Sequence, residues 1–185
     1  MAKIEEEYQD RVSIRYQSFI LRPQEDPQAS FDEYLLRHWK GAQGQEEGGR
    51  FVLWEKGARF PTSSMKALEA AKAVEAQGEA LFARYHFALL RALFEDHLDI
   101  SDIGILLDLA TEIGADRDRL SADLKAGQYR KVVWAEHHRA VRQFGIHSVP
   151  TVVLGEKELV VGAVPREVYR KAVDRFLAEE KHASS

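Results

Sequence analysis

The stretch Phe144-Gly145-Ile146-His147-Ser148-Val149-Pro150-Thr151-Val152-Val153-Leu154 constrains the fold more than any other. A helical pattern stops at Gly145, the chain turns, and a proline leads straight into an apolar run. Proline lacks the amide donor that a central ladder needs, so it belongs where a strand begins or at an edge. Val149–Leu154 therefore reads as a strand starting at a turn. Its nearly unbroken apolar character is that of a strand covered on both faces. Gly155-Glu156-Lys157 is a tight turn, and Leu159–Val164 is the returning strand of a hairpin.

The flanking segments supply the rest of an α/β pattern. Ile4 and Tyr8 share a helical face. Between Arg11 and Phe19, Val12, Ile14 and Tyr16 alternate with Ser13, Arg15 and Gln17, the period of a half-buried strand. Phe31–Trp39 fits a short helix with Ser30 as N-cap. Lys40–Arg50 holds four glycines among polar residues and reads as a loop. From Thr62 to Phe144 the helical period dominates. One helix is capped by Ser63 or Ser64, with Met65, Leu68 and Val74 inward. After Gly78 another carries Phe82, Tyr85, Leu89 and Leu93. Ser101 caps a third, Asp116 a fourth, and Gln128–Phe144 forms a fifth with Tyr129, Val132, Val133, Ala140 and Phe144 inward. Pro165 starts a closing helix with Val168, Ala172, Phe176 and Leu177 along its buried face. Strand, helical block, hairpin, helix is the order of a sheet interrupted by a helical insertion.

Composition narrows the function classes. At 185 residues the chain suits one domain with an insertion, and a formal net charge of −4 argues against general nucleic-acid binding. No apolar run is long enough to span a bilayer, and the acidic start lacks a signal peptide's pattern, so a cytoplasmic location is expected. There is no cysteine, which fits a reducing compartment and removes thiolate chemistry.

Gly145-Ile146-His147-Ser148-Val149-Pro150-Thr151 resembles the Gly-Val-x-Gly-Val-Pro-Thr segment of the DsbA family. Val161-Gly162-Ala163-Val164-Pro165 resembles that family's Gly-Ala-x-Pro ahead of its last helix. Phe60-Pro61-Thr62 before an alanine-rich helix resembles the FrnE-like branch. The resemblance implies a thioredoxin-like α/β sheet. Residues 1–61 and 128–185 would form the thioredoxin-like part, and 62–127 the helical insertion. It also implies a cis-proline at Pro150, with Val149 offering its backbone to an extended peptide and His147 lining the same groove. Family members start with a strand and a Cys-x-x-C helix. Here the chain starts near that helix's end, so no redox residue carries over and no catalytic residue is assigned. The absent strand would lie between Val12–Phe19 and the strand at Val149. Two ladders would lack partners, and a segment of a second copy, in a homodimer, is one way to fill the slot.

The other chemistry-bearing groups read as structural. His137-His138 point about 100° apart on a helix and do not share an ion easily. Glu95, Asp96, Asp99 and Asp102 stand where a helix start favours carboxylates. Trp39 and Trp54 flank the glycine stretch as anchors. No phosphate loop, dinucleotide fingerprint or serine elbow occurs, and neither metal nor cofactor is expected. The functional expectation is a DsbA-family thiol–disulfide oxidoreductase-like protein, redox-inactive as written, whose partner is an extended peptide or a protein thiol substrate. Two alternatives stand beside it: a non-catalytic peptide-binding module, and the glutathione-dependent isomerase and kappa transferase branch.

Overall fold

The computed structural model describes residues 1–43 and 51–183. The helices are α1 (Ala2–Tyr8), α2 (Glu33–Gln43), α3 (Met65–Glu75), α4 (Glu79–Phe94), α5 (Ile103–Glu112), α6 (Arg117–Ala126), α7 (Arg130–Phe144) and α8 (Arg166–Ala183). The strands are β1 (Thr151–Leu154) and β2 (Glu158–Val161). Helices α3 to α6 enclose the largest core, built on Ala70, Ala73, Val74, Tyr85, Leu106 and Leu120. Small alanines on α3 let its neighbours approach closely, and the buried Tyr85 hydroxyl donates to the Leu106 carbonyl at 3.0 Å. Phe31, Trp39, Trp54 and Phe60 form an aromatic cluster against Leu93 and Phe94 at the end of α4.

The sheet among the described residues has two strands. β1 pairs antiparallel with β2, Thr151 opposite Val161 and Leu154 opposite Glu158. At the turn, Gly155 and Glu156 both take positive φ, the sense that matches strand twist. Helix α8 packs on one face through Ala172 and Val173, and α1 joins it there. The Tyr8 hydroxyl donates to Asp174 at 2.8 Å, and Arg170 meets Glu7 at 2.7 Å.

Several expectations need correction. Val12–Phe19 is not a strand of this sheet. It keeps the expected alternation, with Val12, Ile14 and Tyr16 half-buried and Ser13, Arg15 and Gln17 exposed, but no ladder forms beside it. Side chains take part of that role. Glu136 accepts the Ser18 amide at 2.6 Å, His137 Nδ1 accepts the Ile20 amide at 3.3 Å, and Lys72 donates to the Tyr16 carbonyl at 3.4 Å. Every residue of β1 is only half-buried, because β2 alone flanks it among the described residues.

Caps moved by one or two residues. Asp32, not Ser30, accepts an amide at the start of α2, that of Leu35, while Ser30 bridges Arg59. Asp102, not Ser101, caps α5 by accepting from Gly104 and Ile105. The Ser101 hydroxyl instead takes the Thr62 amide. Strand β2 ends at Val161, short of Val164. Val132 and Val168, expected inward, are exposed; Val168 lines an open groove with Leu159, Val161 and Val164, where no further strand among the described residues covers β2. The expected loop over Lys40–Arg50 is helical through Gln43, and residues 44–50 lie outside the described ones.

Candidate functional site

The turn at the end of α7 is built by its cap. Gly145 takes φ 62°, which only glycine adopts without cost, so its amide can return to Val141 at 3.2 Å and that of Ile146 to Ala140 at 3.0 Å. Ile146 is buried and anchors the chain, and the next four residues, His147 to Pro150, are exposed. The Thr151 hydroxyl donates to the Ser148 carbonyl at 2.8 Å, which tightens the turn. The Pro150 carbonyl accepts from Gly162 at 2.8 Å, so it prolongs the β1–β2 ladder by one position. The Val149–Pro150 peptide is cis.

His147, Val149 and Pro150 thus share one exposed turn at the head of β1. Val149 is the member that adjoins the cis-proline at the end of the ladder. Its side chain is exposed, and neither its amide nor its carbonyl has a partner among the described residues. A backbone in that state beside a ladder can accept an added strand. His147 shares the turn but makes no hydrogen bond among the described residues.

The helix histidines serve the fold. His137 accepts the Ile20 amide and stands edge-on to Phe19, and burial, with His138 beside it, holds its imidazole below the usual range. Among the described residues no group of three side chains is placed to hold a metal ion. The acidic residues divide between caps and pairs: Asp102 caps α5, Asp99 holds Ser101, and Asp96 meets Arg91 at 3.2 Å. Trp54 donates to the Leu93 carbonyl at 3.0 Å and Trp39 packs edge-on to Phe31, so both anchor the core.

Sequence reading missed a polar network beneath the extended segment. Lys72 reaches Glu136 at 2.7 Å and Glu75 at 2.9 Å. Burial pulls the Lys72 ammonium down, but the two carboxylates outweigh it and leave its pKa above the usual range. The available signal was Glu69 and Lys72 at core-facing positions of an alanine-rich helix, where a charge requires a partner.

The model of the DSBA-like thioredoxin domain matches residues 1–174. The chain belongs to that family. Its fold agrees with a crystal structure described as a "putative protein disulfide isomerase" from Nitrosomonas europaea, with TM-score 0.76, 20% identity, and coverage of 96% of this chain and 88% of that one. An uncharacterised protein, YwbO of Bacillus subtilis, is 30% identical over 89 residues, which is 48% of this chain and 44% of YwbO. Thioredoxin M4 of Arabidopsis thaliana chloroplasts is 41% identical over 68 residues, 34% of this chain and 35% of that protein. The chain therefore matches under half the length of either curated relative. No helix among the described residues is long and apolar enough to cross a membrane.

Proposed function

We propose that this DSBA-like domain holds an extended peptide or a protein thiol substrate against the turn at Val149 and Pro150, and that these 185 residues do so without redox chemistry. The observation that carries this reading is the exposed Val149, whose amide and carbonyl have no partner among the described residues, beside the head of β1. An extended peptide pairing there gains main-chain hydrogen bonds, while neighbouring side chains select residues. The crystal structure described as a disulfide isomerase supports a polypeptide substrate. Thiol–disulfide exchange needs a thiolate to attack a disulfide sulfur, and the sequence has no cysteine.

In this reading residues 1–61 and 128–185 make the thioredoxin-like unit and 62–127 the insertion. Phe60-Pro61-Thr62 ahead of α3 favours the FrnE-like branch, and the lack of cysteine favours a cytoplasmic setting.

The test is an NMR titration of the chain with an unstructured, cysteine-free peptide. The Val149 and Thr151 amides should shift saturably. A version N-methylated along its backbone should lose the effect, because it cannot donate to a ladder. Shifts confined to other surfaces, or equal binding of the N-methylated peptide, would end the proposal.

A further inference from the structure

A cavity of about 240 Å³ lies between the start of α3, the first turns of α7 and the Pro23–Glu25 loop, lined by Pro23, Glu25, Ser63, Met65, Lys66, Arg130 and Trp134. Its walls are fixed. Ser63 donates to the Arg22 carbonyl at 3.0 Å, Ser64 accepts the Leu21 and Arg22 amides, and the Asp26 amide reaches the Thr62 carbonyl at 3.0 Å. Met65, Val133 and Trp134 pack α3 onto α7 beside it.

The charged groups are arranged unequally. Glu69, with 1% of its side chain exposed, accepts from Arg130 Nε at 2.8 Å, while its second oxygen has no partner among the described residues. Burying a carboxylate is costly, and here it holds one edge of a half-exposed guanidinium at the cavity wall. Because Glu69 engages only Nε, both terminal nitrogens of Arg130 remain without a partner among the described residues. Among the described residues the half-buried Lys66 has no ion-pair partner, and the Trp134 indole N–H makes no hydrogen bond. Glu25 stands exposed, with its charge in water. Pro23, Met65 and the Trp134 ring supply the apolar surface.

We infer that this cavity binds a small carboxylic acid with an apolar body, its carboxylate between Arg130 and Lys66 and its carbon skeleton against Trp134 and Met65. The guanidinium fork matches a carboxylate in geometry, and a preformed, partly apolar pocket with few convergent donors is the usual form of a small-molecule site. Phosphate finds the cations but gains nothing from the apolar walls, and an amine meets two cations.

The probe is isovalerate, added to the full chain while the Trp134 indole signal, assigned with Trp134→Phe, is followed by NMR. Isovalerate should shift that signal saturably. Isoamylamine, of the same skeleton and opposite charge, should not, and inorganic phosphate should bind at least about tenfold more weakly. Lys66→Met, and Arg130→Gln combined with Glu69→Gln so that no buried carboxylate is stranded, should each weaken isovalerate about tenfold with the rest of the spectrum retained. The inference is overturned if the amine or phosphate matches isovalerate, or if both variants bind it as the parent does. Val149 takes no part in these readouts, so failure here leaves the peptide proposal standing.

Discussion

Lys72 and Glu136 meet at 2.7 Å with 7% and 14% of their side chains exposed, an ion pair enclosed on both sides. It joins α3 to α7, and Glu136 also holds the Ser18 amide. Glu136→Ala leaves Lys72 with Glu75 alone and Ser18 without an acceptor, and should cost about 3–5 kcal/mol. Lys72→Met combined with Glu136→Leu should cost clearly less than the sum of the single changes, because no charge is then stranded. Denaturant melts of the parent, Glu136→Ala, Lys72→Met, Glu136→Leu and the Lys72→Met/Glu136→Leu double variant measure both numbers. Additive losses would show that the two side chains act independently.

Gly155 is constrained twice. Its φ is 52°, and a β-carbon there would overlap the Phe176 ring. Gly155→Ala should destabilise by about 2–4 kcal/mol, the sum of left-handed strain and overpacking. Adding Phe176→Leu should restore part of the loss. Thermal melts with no recovery in the double variant would place the whole cost in the backbone.

Two histidines set an acid limit. His86 is held below the usual range by burial and then by the Met1 ammonium, and His137 by burial and then by His138. A depressed folded pKa means that the unfolded chain takes up the proton first. The stability from these groups is present above about pH 6.5 and is lost as pH falls through the folded values. Melting temperature should drop between pH 7 and pH 5, and His137→Gln should flatten part of that drop. The same slope in the variant would assign it to other groups.

The 185-residue polypeptide should not accelerate dithiothreitol-driven insulin reduction, since it contains no thiol to attack a disulfide. Turbidity above the uncatalysed background, with pure protein, would contradict this.

Local pattern carried much of the architecture. The apolar stripes of α4 and α5, the Gly145 stop and the turn after Leu154 each depend on residues a few positions apart. Caps follow equally local rules with more than one competent residue: Ser101 and Asp102 can both cap α5, and backbone geometry selects the latter. The failures were long-range. Nothing near Ser18 or Ile20 announces Glu136 and His137, which arrive from 118 and 117 residues away to occupy amides that a ladder would otherwise take. Likewise the His147–Pro150 turn could be found from its glycine and proline. Its unpartnered Val149 backbone depends on which strands stand beside β1.

The bond from Tyr8 to Asp174 spans 166 positions and has a consequence during synthesis. At about 5–20 residues per second, Tyr8 is added roughly 8–33 s before Asp174. For that interval Ile4 and Tyr8, both buried beside Val173 in the finished fold, lack the helix that covers them. Through that wait the apolar face of α1 stays uncovered, and it is closed only when α8 arrives.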